Sequence, residues 1–135
     1  MRRLIPAILA AAALAASPAV AAKEKRTPDE QLAKLLEGRV AGEPQDCISL
    51  SSARSSQIID KTAIVYRDGA TLWVNRPRSG ADSLNDDDVL VTKTTGSQLC
   101  SIDTVQLHDR SSHFWRGFVS LGEFVPYRKV KAAAQ

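Results

Sequence analysis

The chain contains few cysteines and histidines, and its acidic and basic residues nearly balance. Each of these features excludes a class of function. Only two of the 135 residues are cysteines, and the closely spaced Cys-x-x-Cys pair of a thiol redox site is missing. The Gly-x-Ser-x-Gly turn that presents a hydrolase nucleophile is missing as well. No other catalytic or cofactor motif occurs, so we expect no catalytic residue, no bound metal and no cofactor.

Long hydrophobic runs are missing except at the N-terminus, where residues 1–22 are expected to form a signal peptide. Two arginines precede an apolar run over residues 4–16, and the Ala-Val-Ala sequence at residues 19–21 has the pattern that signal peptidase cleaves. The run is too short to span a bilayer as a mature helix, and no cysteine at the cleavage site offers a lipid anchor. We therefore predict a periplasmic or secreted protein with no stable membrane insertion after signal cleavage.

Cleavage leaves about 113 residues, the size of one domain. Of the 18 basic residues two leave with the signal peptide, so 16 remain against 15 acidic ones. A balance this close to neutral gives no electrostatic case for nucleic-acid binding, which needs Lys and Arg clustered on one face. We divide the rest of the chain into a flexible N-terminus with a short amphipathic helix at residues 23–37, a single β-rich domain at residues 38–130 and a disordered tail at residues 131–135.

The two cysteines, Cys47 and Cys100, are predicted to form a disulfide because exported proteins fold in an oxidising compartment. Only one pairing within the chain is available. It would close a loop of about fifty residues, which stabilises the fold by about 4 kcal/mol on the chain-entropy model. Two buried free thiols are the alternative.

One short helix and a series of short strands are predicted. Thr27 fits an N-cap, Pro28 the first helical position and Glu30 the third position of a capping box. After the helix, short strands recur about every ten residues, and the clearest hairpin joins residues 62–66 to residues 71–75. The fold class is therefore mainly β, a small antiparallel β-barrel or sandwich of about seven strands with one short N-terminal helix.

Five short segments of the β-rich domain form a recognisable set. They are the stretch from Gly38 to Cys47 and Ile48, the Ile-Asp pair at residues 59–60, the hairpin that ends in Val-Asn-Arg at residues 74–76, QLCSID at residues 98–103 and LGEFVPY at residues 121–127. Together they resemble an uncharacterised family of small exported bacterial proteins, carried as a domain of unknown function. The resemblance implies an exported β-rich domain and no activity. Members of that family have four cysteines, so this chain resembles a variant that lacks one of two cysteine pairs, the missing ones falling near Ala81 and near Val119 or Ser120.

The two histidines carry the alternative interpretation, a small periplasmic hydrolase or metal-dependent enzyme that uses His108, Asp109 and His113. A zinc site needs three or four converging ligands. Positions five apart on a continuous strand point to opposite faces, so only a turn between the histidines would bring them together. The acidic residues between positions 82 and 88 lack the spacing of a calcium loop, and we predict a solvated loop there.

The aromatic residues near position 115 indicate a binding surface. Phe114 and Trp115 are adjacent, so on a strand one of them faces outward, and with Arg116 they form the candidate binding surface. On a regular strand Phe118 shares a face with Phe114 and Arg116, and Trp115 lies on the other face. The function that we favour is an exported, non-enzymatic binding or envelope-associated protein whose partner is an envelope protein or a glycan. The sequence favours no oligomeric state.

Overall fold

The structure, a computed structural model, describes residues 24–131. The predicted signal peptide lies outside the described residues, as does the predicted C-terminal tail beyond Lys131. Ten strands and one α-helix form within the described range, which confirms the mainly β fold class. The strand count exceeds the predicted seven because several strands have only three residues, too few to show a period. The elements in chain order are α1 (Pro28–Leu35), β1 (Arg39–Ala41), β2 (Cys47–Ser49), β3 (Ala53–Ile59), β4 (Ala63–Asp68), β5 (Thr71–Asn75), β6 (Asp88–Thr92), β7 (Gln98–Cys100), β8 (Thr104–Asp109), β9 (Trp115–Ser120) and β10 (Phe124–Lys129), with one turn of 3₁₀ helix at Ala81–Ser83.

The strands form three antiparallel sheets that pack as in a sandwich. Five strands lie in the order β1-β10-β5-β4-β3, three lie in the order β6-β8-β9, and β2 pairs with β7. Strands β1 and β3 are the edge strands of the five-stranded sheet, and no sheet closes into a barrel among residues 24–131. The structure therefore selects the sandwich from the two architectures that the sequence left open.

The predicted hairpin is confirmed as β4 and β5, which pair from Ile64 opposite Asn75 to Asp68 opposite Thr71. Gly69 forms the turn with a φ of 54°. Glycine adopts this left-handed conformation without the steric cost that other residues meet.

Strands β4 and β5 of the five-stranded sheet are buried on both faces. Ile64 and Tyr66 point into a core shared with the other two sheets, whereas Ala63 and Val65 point into a second core beneath α1. All four side chains are buried. Because an unbroken apolar run is typical of a strand that is covered on both sides, residues 63–66 show no alternation.

Helix α1 covers one of these faces because its start is fixed and its apolar side meets the sheet. Thr27 Oγ1 accepts from the backbone N–H of Glu30 (3.3 Å), and the Glu30 carboxylate accepts from the backbone N–H of Thr27 (2.9 Å), which confirms the capping box. Leu32 is buried, and Leu35 and Leu36 pack beside it against the same core. The helix thus closes the side of the sheet that the other sheets leave open.

A buried asparagine joins β5 to the turn before β10. Asn75 Nδ2 donates to the carbonyl oxygen of Gly122 (2.7 Å), and Asn75 Oδ1 accepts from the backbone N–H of Gly122 (3.0 Å). Asn75 has no exposed surface, so these bonds satisfy polar groups that water does not reach. A side chain at position 122 would collide with the carbonyl of Arg76, which is why glycine stands there.

The predicted disulfide is confirmed. Cys47 in β2 lies opposite Cys100 in β7, and their Cα atoms are 4.0 Å apart. The bridge spans 53 positions of sequence, so it links the start of the domain to the strand that precedes β8. The alternative of two free thiols is thereby excluded.

Loss of the disulfide is expected to lower the free energy of unfolding by up to about 4 kcal/mol, because the unfolded chain regains the entropy of the closed loop. Cys47→Ser and Cys100→Ser should give similar losses in urea unfolding. The double variant should lose no more than either single variant, because the cross-link is lost only once. Equal stability of the wild type with and without reductant would contradict this structural role.

Replacement of the buried asparagine by Leu is expected to lower the free energy of unfolding by about 3 kcal/mol. Asn75→Leu keeps the branched shape and the number of heavy atoms but leaves the N–H and C=O groups of Gly122 buried and unpaired, and each such group costs about 1–3 kcal/mol. Urea unfolding measures the loss. Asn85→Ala is the matched control, since the Asn85 side chain accepts only one bond, from the exposed Asp87 N–H. Equal losses in the two variants would show that the Asn75 bonds contribute little.

Candidate functional site

The three-stranded sheet presents one face to the core and the other to solvent. Leu107 and Val119 belong to the inner face, where both are fully buried. Because strand positions alternate between faces, the pairing register places a different set of side chains on the solvent side, which we call the outer face. Its members are Val89, Val91, Thr104, Gln106, His108, Trp115, Phe118 and Ser120. None of them is Lys, Arg, Asp or Glu.

A β-bulge brings two aromatic residues to this face. The pairing of β8 with β9 shifts between Leu107 and His108. His108 lies opposite Trp115 and Gln106 lies opposite Phe118, so both aromatic side chains lie on the outer face. The expectation from regular alternation, that Trp115 and Phe118 lie on opposite faces, is wrong because the bulge adds one residue between them.

Gly117 is the sequence signal for this bulge. Its φ is 147°, a backbone conformation that residues with a side chain rarely adopt. An isolated glycine within a strand pattern often marks a bulge, so the signal was present in the sequence beside the aromatic residues.

Both aromatic side chains of the outer face stand in solvent, next to two planar polar side chains. Trp115 is 59% exposed and Phe118 is 53% exposed. His108 Nε2 lies 3.2 Å from Gln106 Oε1, and His108 Nδ1 lies 3.2 Å from the carbonyl oxygen of His113. The imidazole and the amide therefore lie within hydrogen-bonding distance of each other beside the rings.

The structure separates the three residues of the candidate surface that the sequence indicated. Trp115 lies on the outer face, and Phe114 precedes β9 with 75% of its surface exposed. Arg116 instead donates through Nη1 to Asp88 Oδ1 at 3.1 Å, and the Asp88 side chain is fully buried. Arg116 therefore neutralises a buried carboxylate, which would destabilise the fold if it were left alone. The side chains that adjoin Trp115 on the outer face, which the sequence reasoning missed, are Gln106, His108 and Phe118.

No hydrogen bond joins the side chains of His108, Asp109 and His113, the residues of the alternative enzyme site, to one another. Asp109 Oδ1 accepts from the N–H groups of Ser111 (2.9 Å) and Ser112 (2.7 Å) and from the Ser112 hydroxyl (2.9 Å). His108 contacts the main-chain carbonyl of His113 rather than its ring. In the described part of the chain, no group of three or more His, Cys, Asp or Glu residues is arranged to hold a metal ion.

Hydrogen bonding and burial each shift one pKa. The backbone N–H and the hydroxyl of Ser112, together with the backbone N–H of Ser111, hold the pKa of Asp109 below its ordinary value. Asp109 thus works as an ionised cap for the turn between β8 and β9. Burial raises the pKa of Tyr66, so its phenol stays neutral in the core.

The acidic loop before β6 divides into an exposed and a buried part. Asp82, Asp86 and Asp87 are exposed, as expected of a solvated loop, and the backbone N–H of Asp86 donates to Asp60 Oδ1 at 2.6 Å. Asp88 departs from that expectation because its carboxylate is buried and paired with an arginine.

Three of the segments that carry the family resemblance make hydrogen bonds that stabilise the fold. The Val-Asn-Arg and LGEFVPY segments meet through Asn75 and Gly122. In the QLCSID segment, Asp103 Oδ2 accepts from the backbone N–H of Cys100 at 2.8 Å, beside the disulfide. These segments therefore hold the sandwich together and lie apart from the outer face.

Fold and site together define a small, disulfide-linked β-sandwich with an uncharged aromatic face open to solvent. No helix among residues 24–131 is both long and apolar enough to cross a membrane. No protein-family model, curated protein or solved structure matches the chain.

The Asp109 carboxyl is expected to titrate below the ordinary Asp pKa of about 3.9. Since the folded-state pKa is lowered, the stabilisation of the turn is complete above the unfolded-state pKa and is lost as the pH falls through the folded-state pKa. Carbon-13 NMR of the carboxyl measures the midpoint, with the urea-unfolded chain as reference. Ser112→Ala should raise the midpoint because it removes the hydroxyl donor. A midpoint that equals the unfolded reference would contradict the capping role.

Proposed function

We propose that the protein is an exported, non-enzymatic binding module that holds a protein or glycan of the cell envelope on its outer face. The observation that carries this proposal is the exposure of Trp115 and Phe118 together on a sheet whose other face is packed into the core. Full burial of a side chain such as Phe118 stabilises a fold by about 1.5–3 kcal/mol. Two large aromatic side chains left in solvent side by side on a sheet are the kind of feature that marks an interaction site.

The support beneath the outer face favours binding over a merely exposed patch. Leu107 and Val119 anchor the sheet in the core, and Asp109 closes the turn that leads into β9. Side chains that are already held in place lose little entropy when a partner arrives. A sheet anchored in this way holds the backbone of the outer face in place for recognition, whereas Asp109 bonds the turn and His108 contacts Gln106, so the two are not paired for catalysis.

Export is supported by the sequence and by the disulfide. The N-terminal sequence has the three regions of a signal peptide, and a Cys47–Cys100 bridge persists in an oxidising compartment. Membership of the resembling family of small exported bacterial proteins is part of the same proposal. It rests on the five resembling sequence segments alone.

Capture from a cell-envelope extract of the native host tests the proposal. The full chain is produced in a bacterium and the exported form is purified, oxidised and immobilised. We expect it to retain the same envelope component in repeated captures, identified by mass spectrometry and sugar analysis. Trp115→Ala and Phe118→Ala should each lose that component, because each removes a ring from the outer face.

Ile102→Ser is the matched control, since Ile102 is 85% exposed and lies outside the outer face, in the turn between β7 and β8. It should retain the component as the wild type does. Capture that survives both aromatic substitutions, or the absence of any specific capture, would refute the outer face as the binding site.

A further inference from the structure

The outer face is unusual for its lack of charge. Its eight strand positions carry apolar, aromatic and neutral polar side chains or His108, with no Lys, Arg, Asp or Glu among them, although charged residues make up 24% of the chain. Arg116, the extra residue of the bulge, is held by the buried Asp88. A surface of this composition has no attraction for a polyanion or for an anionic membrane, which bind through clustered Lys and Arg.

The two rings of the outer face are placed in a row along β9. Trp115 and Phe118 lie opposite neighbouring outward positions of β8, His108 and Gln106, so the rings are about 7 Å apart along the strand. Both rings are more than half exposed on this sheet face. The face therefore offers two neighbouring aromatic rings on which planar or ring-shaped groups can stack.

The Gln106 amide, opposite Phe118, is the polar group of this face that can both donate and accept hydrogen bonds. Both nitrogens of the neighbouring His108 ring already lie 3.2 Å from protein oxygens, those of Gln106 and of the His113 main chain. A sugar ring combines an apolar C–H face with hydroxyl groups around its rim. It is thus complementary both to the aromatic faces and to the polar group beside them.

We propose that the outer face binds an uncharged polysaccharide, with neighbouring sugar rings stacked on Trp115 and Phe118 and their hydroxyl groups bonded to Gln106. This inference rests on the proposed function and specifies its partner. The neutral face matches a neutral polymer, because neither side then buries an unpaired charge.

Sedimentation with insoluble polysaccharides tests the inference with named probes. Particles of cellulose, chitin and β-1,3-glucan serve as neutral polymers, and alginate gel serves as the anionic one. We expect the oxidised protein to bind at least one neutral polymer and to leave alginate unbound. Trp115→Ala and Phe118→Ala should each weaken binding about tenfold, the effect of losing one aromatic contact, whereas Ile102→Ser should bind as the wild type does. Binding should change little between about 0.1 and 1 M salt, since it involves no ion pair.

The outcomes separate this inference from the proposed function. Failure to bind every neutral polymer, together with capture of an envelope protein that depends on Trp115 and Phe118, would overturn the polysaccharide while the binding module stands. A dimer that dissociates on Trp115→Ala, seen by analytical ultracentrifugation, would overturn both by assigning the face to a second copy of the chain. Binding to a neutral polymer that is unchanged in both aromatic variants would overturn the assignment of this face.

Discussion

The burial of strands β4 and β5 on both faces of the five-stranded sheet is the constraint on which the rest of the structure depends. Strands β4 and β5 send alternate residues into two cores, so each face needs a cover. Helix α1 supplies one cover through its leucines, and the smaller sheets supply the other through residues such as Leu107 and Val119. The inner face of the three-stranded sheet is packed in the core, so only its outer face is available to solvent or a partner.

The bulge in β9 makes the outer face a candidate site because it places both aromatic rings there. Without the extra residue, Trp115 and Phe118 would point in opposite directions, and only one ring would meet the solvent. With it, Val119 still reaches the core while both rings stand outside. The pairing of Arg116 with Asp88 accommodates the added residue by giving its guanidinium a buried partner. Packing and surface chemistry are thus coupled through one local irregularity.

Local signals predicted the parts of the fold that depend on local chemistry. The capping box, the hairpin at Gly69 and the disulfide follow from residue types at fixed spacing, and the structure has all three. The two-sided burial of β4 and the choice of sandwich over barrel depend on contacts distant in sequence, which no spacing encodes. In the site, adjacency suggested Phe114, Trp115 and Arg116, but register sets the actual neighbours of Trp115. Gly117, an isolated glycine in the strand, is the one sequence signal that indicates this register.

Fluorescence quenching by acrylamide tests the central claim most directly, because the chain has two tryptophans in opposite environments. Trp73 is buried at 7% exposure, whereas Trp115 is 59% exposed. In the free, oxidised protein the account predicts one quenched and one protected population, and Trp115→Phe should remove the quenched one. Addition of the binding partner should protect Trp115 and leave Trp73 unchanged. A Trp115 that is already protected in the free protein, or that stays open to quencher in the bound state, would contradict the account.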